Sequence, residues 1–200
     1  AFDLMRRRIA LRIRRCDELW VQTLKAETKS VGALTSRPEW EAVIANGDRP
    51  DFLALPLEAL DVLNGIKLDR IAPVFTTEFQ RTTWLIADQA SQAEVALDRG
   101  TIHTETADRA LCEVEIELKS GAPEFLFTVA LQLMDQIPLQ VEPRSKAQRG
   151  YVLCGAIQPT PTKTICPTIR AEQLAIEAWH AILQAALVQL TANVPGFLEQ

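Results

Sequence analysis

The sequence predicts an α+β fold made mainly of antiparallel strands, and three observations carry that prediction. Residues 112–119, Cys-Glu-Val-Glu-Ile-Glu-Leu-Lys, alternate acidic and apolar residues. Glu113, Glu115 and Glu117 therefore share one face of a strand while Val114, Ile116 and Leu118 share the other. Several other stretches repeat this charged-versus-apolar alternation, whereas 124–137 and 171–193 place apolar residues at helical spacing. With 200 residues and 48% hydrophobic content the chain can bury one good-sized core.

Taken in order, 9–15 puts Leu11 and Ile13 opposite Arg12 and Arg14, and Cys16-Asp17-Glu18 turns the chain into a second strand at 20–26, with Lys25 beside Thr23. A third strand is expected over 36–44, where Arg37, Glu39 and Glu41 share a face opposite Trp40. Residues 46–50 form a turn by composition, and 52–63 reads as one or two short helices with Pro56 near a start and Gly65 as a terminal cap. A long strand over 74–86 carries Phe79, Arg81 and Thr83 on one side. Its hairpin partner, 91–98, carries Gln92, Glu94, Ala96 and Asp98, and Arg99-Gly100 is expected to end it before a short strand at 101–105. The glutamate strand closes at Ser120-Gly121, the helix of 124–137 follows Pro123, and a last strand is expected at 151–154. Residues 156–170 are rich in proline and threonine and read as a linker. The final helix, with Leu174, Ala178, Ile182, Ala186 and Leu190 on one side, is expected to begin a second domain.

Composition narrows the function classes. A net charge of -5 argues against a general nucleic-acid binder, although Arg6, Arg7, Arg8, Arg12, Arg14 and Arg15 crowd the start. Four cysteines without a CxxC pair and two histidines argue against a zinc site or a disulfide framework, so a reducing, cytoplasmic setting is expected. No apolar run has membrane-spanning length, so no membrane partner is expected, and no GxxxxGK[ST] loop or Ser/His/Asp arrangement occurs. His103 and His180 are expected on a strand end and a helix face. The chain opens on Ala1 close to a strand pattern, and residues are expected upstream.

What remains is the charged faces. Glutamates two apart on a strand lie about 7 Å apart, and at an effective dielectric near 20 each adjacent pair repels by roughly 2.4 kcal/mol. Bulk water, facing Lys or Arg, or a divalent cation would relieve that repulsion. One arrangement is an open sheet with one wet face; the other is a barrel whose polar face lines a water-filled lumen while helices cover the apolar face. Cations of such a lumen bind phosphate oxygens and its carboxylates recruit Mg²⁺ or Mn²⁺.

An ordered set of motifs sharpens this: Leu11-Arg12-Ile13-Arg14, Thr23-Leu24-Lys25, Arg37-Pro38-Glu39, Phe79-Gln80-Arg81, Glu94-Val95-Ala96-Leu97-Asp98, the glutamate strand, and Ser145-Lys146-Ala147-Gln148-Arg149-Gly150-Tyr151. Together they resemble the CYTH superfamily, the triphosphate tunnel metalloenzymes, over residues 4 to 155. The resemblance is strongest to the bacterial inorganic triphosphatases of CYTH-CHAD architecture. It implies an eight-stranded antiparallel tunnel with flanking helices, here lacking the family's Glu-x-Glu-x-Lys first strand, over 1–155. A linker at 156–170 and the first helix of a CHAD-like, polyphosphate-associated domain at 171–200 would follow. The implied reaction is hydrolysis of inorganic triphosphate with Mg²⁺ or Mn²⁺. Polyphosphate or nucleotide binding without turnover, and hydrolysis of thiamine triphosphate, are the alternatives. By matching position, Arg12, Arg14, Lys25, Arg37, Arg81, Lys146 and Arg149 would hold substrate phosphates. Glu113, Glu115, Glu117, Glu39, Glu41, Glu94 and Asp98 would hold metal, and Glu115, Glu117 and Lys146 would stand closest to the chemistry. Phe79 stands where many relatives carry a second base.

Overall fold

A computed structural model describes residues 2–26 and 37–198. The chain divides into two compact units, 1–73 with 160–200, and 74–159. The described residues form an α+β protein with two three-stranded antiparallel sheets and a C-terminal helix.

In the first unit, a four-residue helix α1 (Asp3–Arg6) leads into β1 (Ile9–Cys16), β2 (Leu19–Ala26) and β3 (Glu39–Ile44), hydrogen-bonded in that order. The β1–β2 turn needs a left-handed residue, and Asp17 supplies it at φ 52°; aspartate tolerates that region better than most side chains. The expected strand start at Ser36 lies outside the described residues, and Arg37 and Pro38 precede β3 without belonging to it. The register sets Leu11 against Leu24 and Leu24 against Trp40. Onto this apolar face packs α2 (Leu57–Val62), entered through a 3₁₀ turn at Phe52–Ala54 and through Pro56 at its N-cap. Ile9, Leu24, Leu55, Ala59 and Leu63 make the buried core. Each of the isoleucine and leucine side chains contributes about 1.5–3 kcal/mol by leaving water. Gln22 is fully buried on the same face of β2 and is satisfied by the backbone of Asp51, whose N–H it accepts at 2.9 Å and to whose carbonyl it donates.

The second unit is a meander of β4 (Thr76–Ala87), β5 (Gln92–His103) and β6 (Asp108–Ser120). Asp88 Oδ1 builds the first turn by accepting from the N–H groups of Ala90 and Ser91 at 2.8 and 2.6 Å. Helix α3 (Glu124–Gln136) packs against β6 and β5, as its apolar spacing requires.

Two expectations are corrected here. First, Arg99-Gly100 does not end a strand: β5 runs unbroken through it, and Gly100 pairs with Phe79 on one side and Leu111 on the other. A Cβ at 100 would stand 1.9 Å from the Glu78 carbonyl oxygen and 2.5 Å from Phe79 Cα, so the glycine serves close backbone approach and not a turn. Second, 151–154 is not a strand. It completes helix α4 (Lys146–Leu153), whose N-terminus is fixed by a capping box. Ser145 Oγ accepts from the Gln148 N–H at 3.2 Å, and Gln148 Oε1 accepts from the Ser145 N–H at 2.8 Å. The described strands therefore number six, in two sheets, where the resemblance implies one eight-stranded ring.

Residues 158–170 carry no regular secondary structure. The last helix, α5 (Ala175–Leu198), starts four residues later than 171 and runs through Pro195. Asn193 ties the preceding segment to it, accepting from the Thr162 N–H at 2.8 Å and donating to the Thr162 carbonyl at 2.9 Å.

The glycine geometry predicts opposite outcomes at two sites. Gly100→Ala forces β4 and β5 apart and costs about 1–3 kcal/mol. Gly196→Ala, in α5 with nothing within 4 Å of the new methyl, gains about 0.5–1 kcal/mol. Urea unfolding of both variants checks the pair; equal midpoints would refute the close-approach account.

Candidate functional site

On the second sheet, alternate residues of three strands come into rows. Arg81 pairs with Asp98 and Asp98 with Glu113; Thr83 leads through Ala96 to Glu115; Leu85 leads through Glu94 to Glu117. All of these side chains share one face, because strand side chains alternate with period two. Asp98 lies at the centre and is fully buried. Arg81 grips it with two parallel bonds of 2.7 Å and reaches Glu115 Oε2 at 2.6 Å with the same guanidinium.

Helix α4 brings two more cations to this face. Lys146 and Arg149 are three residues apart, so they project from the same side of the helix. The Lys146 ammonium meets Asp98 Oδ2 at 2.7 Å, Glu115 Oε1 at 2.8 Å and Glu113 Oε1. Arg149 Nη2 donates to Glu113 Oε2. Three carboxylates and three cations thus form one charge-balanced cluster. Burial alone would push Asp98 and Glu115 up; the bonds from Arg81 and Lys146 outweigh it and hold both carboxyls below their ordinary range. Burial likewise works against the charged forms of Lys146 and Arg81. Contacts with the carboxylates overcome it and raise both. An ion contact at 2.7 Å is worth about 6 kcal/mol at an effective dielectric near 20, while removing each ion from water costs several. Within the cluster, the contacts among its members offset the cost of taking each ion out of water. The Phe79 ring closes the cluster on one side, with its centroid 5.3 Å from Lys146 Nζ and 5.8 Å from the Arg81 guanidinium carbon.

The chain leading to α4 is itself held by charge. Arg144 grips Glu142 through Nε and Nη2 at 2.9 Å each, and its backbone N–H donates to the same carboxylate. Burial pushes the Glu142 carboxyl up, but the Arg144 contacts and the field of Arg149 bring it below the usual value.

Other expected site residues lie apart from this cluster. Glu117 and Glu94 face each other directly, and their repulsion is relieved by Lys119, 3.2 and 3.6 Å away. Lys119 occupies the irregular position where β6 slips relative to Gln92 and Ala93. In the first unit, the polar face of β1–β3 carries Arg12, Arg14, Thr23, Lys25, Glu39 and Glu41. Arg14 meets Glu41 at 3.0 Å, Thr23 Oγ1 donates to Glu41 at 2.9 Å, and Lys25 meets Glu39 at 2.7 Å. Burial lowers the Lys25 ammonium; Glu39 offsets this in part, while Arg12 and Arg37 add to the lowering. His103 ends β5, 2.9 Å from Asp108, and His180 lies on α5, the strand end and the helix expected for them.

The donor set fits a divalent cation. One oxygen from each of Asp98, Glu113 and Glu115 lies within 4.8 Å of the other two, and carboxylate oxygens suit hard ions such as Mg²⁺, Mn²⁺ and Ca²⁺. The cationic side has unused capacity for an anion: Arg149 is 7% exposed, yet its Nε finds no acceptor among the described residues. Sequence reasoning placed Asp98 among secondary metal candidates and missed Lys119 altogether. Its signal was the i, i+2 spacing from Glu117 on a strand, which puts a lysine beside the glutamate it neutralises.

The known family that this chain's sequence matches is the CYTH domain. The sequence profile of that domain matches residues 1–151, and the chain belongs to the CYTH family. It is 35% identical over 150 residues to the inorganic triphosphatase of Haemophilus influenzae. The match covers 75% of this chain and 42% of that protein, so the chain spans less than half the length of the relative. No helix among the described residues is long and apolar enough to cross a membrane.

Two stability predictions follow from the cluster and its approach. Asp98→Ala strands Arg81 and Lys146 and costs about 3–5 kcal/mol, whereas Glu117→Ala, at the exposed end of the stripe, changes stability by less than about 0.5 kcal/mol. Denaturant melts of both variants test the contrast. Glu142 contributes under about 1 kcal/mol, because its pair is partly exposed. Its folded pKa is lowered, so this contribution is full above the unfolded value near about 4.3 and is lost as pH falls through the folded one. Glu142→Gln is therefore less stable than the parent at pH 7 and equal to it in strong acid. A gap that persists at the lowest pH would contradict the ion-pair account.

Proposed function

We propose that this chain belongs to a divalent-metal-dependent hydrolase of inorganic triphosphate, working within a tunnel of the CYTH kind. The observation that carries the reading is the cluster of Asp98, Glu113 and Glu115 interleaved with Arg81, Lys146 and Arg149. Membership of the CYTH family and the similarity to a triphosphatase support it. Hydrolysis adds water to the terminal phosphorus, breaks the phosphoanhydride bond and releases phosphate and pyrophosphate.

Arg81, Lys146 and Arg149 bind phosphate oxygens by charge-assisted hydrogen bonds, and Lys146 stabilises charge on the departing pyrophosphate. Asp98, Glu113 and Glu115 hold the metal ion, Mg²⁺ or Mn²⁺, which supplies neutralisation of the phosphates and polarisation of water. Glu115 and Glu117 orient the attacking water. The proposal extends to Arg12, Arg14, Lys25 and Arg37 as further phosphate ligands, and to Glu39, Glu41 and Glu94 as further carboxylates. It also takes 156–170 as a linker to a CHAD-like helical segment at 171–200, and a cytoplasmic setting. Polyphosphate fits the same recognition chemistry.

The test is phosphate release from tripolyphosphate with Mg²⁺ or Mn²⁺, with and without EDTA, beside thiamine triphosphate and ATP. Release is expected to stop with EDTA, and Glu115→Gln to lower kcat on the order of a hundredfold or more. Activity that ignores EDTA sinks the metal-dependent reading. Tight binding of tripolyphosphate with no release would make the protein a polyphosphate-binding module instead.

A further inference from the structure

The six charged groups of the cluster use every carboxylate oxygen in a regular way. Glu113 and Glu115 each give one oxygen to an arginine and the other to Lys146, while Asp98 gives both oxygens to Arg81 and shares Oδ2 with Lys146. The arginines divide the carboxylates between them, Arg81 taking Asp98 and Glu115 and Arg149 taking Glu113. Among the described residues Lys146 alone touches all three. The carboxylates that surround its ammonium are also the three that could offer an oxygen each to a metal ion. A divalent cation binds carboxylate oxygens at about 2.0–2.6 Å, so an ion that draws on the oxygens holding the ammonium displaces it.

From this we infer that Lys146 is a tethered substitute for the divalent cation, and that metal and polyphosphate bind in a linked manner because each must move this one side chain. The inference rests on the metal-dependent reading above and adds a competitor within the site. A metal ion arriving alone has to expel an ammonium from three carboxylates. A polyphosphate arriving alone has to draw Lys146 and the arginines away from those carboxylates and leave them unpaired. When both arrive, the metal takes the carboxylates and the phosphates take the cations, and no charge is left without a partner. Lysine suits the role because its ammonium is a point charge on a flexible stem, whereas the two arginines are fixed by planar, directional contacts. The capped first turn of α4 holds the Lys146 backbone in place, so displacement of the ammonium needs only side-chain rotation.

The closing experiment measures Mn²⁺ alone, without phosphate, by calorimetry and by the Mn²⁺ resonance signal. Lys146→Gln is expected to bind Mn²⁺ tighter than the parent, by on the order of tenfold, although it removes a residue placed in the site. Adding Glu113→Gln to that variant should abolish the gain, which assigns it to the cluster. In the parent protein, saturating Mn²⁺ should raise the rate of acetylation of Lys146, read by peptide mass spectrometry, since the expelled ammonium becomes accessible. Equal or weaker Mn²⁺ binding by a folded Lys146→Gln protein overturns the inference, and so does an acetylation rate that Mn²⁺ leaves unchanged. The acetylation measurement decides the matter alone if the variant fails to fold. Failure of the underlying reading is distinct: it appears as no metal-dependent release or binding of tripolyphosphate by the parent, whatever Mn²⁺ does by itself.

Discussion

Keeping Asp98 ionised where water does not reach is the constraint on which the second unit depends. An isolated carboxylate there would cost several kcal/mol or take up a proton. Two cations prevent this, and they come from different directions, Arg81 from the neighbouring strand and Lys146 from a helix nearly fifty residues later in the chain. The requirement for that second cation explains features that look unrelated in the sequence. The Glu142–Arg144 clasp fixes the approach to α4 and the Ser145–Gln148 box fixes its first turn. Glycine at 150 then lets the helix pass the Phe75 ring, where a Cβ would meet carbon atoms at 2.6 Å.

The first unit meets the same demand in a milder form. Its fully buried polar groups among the described residues are neutral, Gln22 reciprocally bonded to the Asp51 backbone and Thr23 donating to Glu41, and its charged pairs lie nearer to solvent. In each unit, carboxylates on the sheet's polar face pair with cations of the same unit. The glutamate stripe of β6, which repels itself when considered alone, is distributed over Arg149, Lys146 with Arg81, and Lys119 along its length. Facing cations, one of the ways to relieve that repulsion, lie within contact distance of all three glutamates.

How much of this was legible depended on whether the signal was local. Alternation placed β1, β2 and β6 correctly, and helical spacing placed α3, because period alone distinguishes a two-faced strand from a helix. Gly100 was misread because glycine followed by threonine looks the same in a turn and in a strand whose neighbour's backbone lies against it; only the partner strand tells them apart. The helix at 146–153 was misread for a different reason. Ser145-x-x-Gln148 is a local capping signal present in the sequence, but Tyr151 and Val152 favour strands, so the local signals there conflict. In the candidate site, the structure brings Arg81, Lys146, Arg149, Asp98, Glu113 and Glu115 of the expected residues into one cluster. Their grouping was not legible, since register between strands decides that Asp98 joins Glu113 and Glu115 while Glu117 joins Glu94.

Phe79 brings out a last property of the cluster. An aromatic face attracts a cation without claiming any of its N–H donors, and this ring lies close to both Lys146 and Arg81. A base in that position would add charge and compete for the same carboxylates. The ring adds direction without valence. It holds the two cations near the cluster while leaving every N–H free, so Lys146 can leave its oxygen partners without first breaking a bond to the ring.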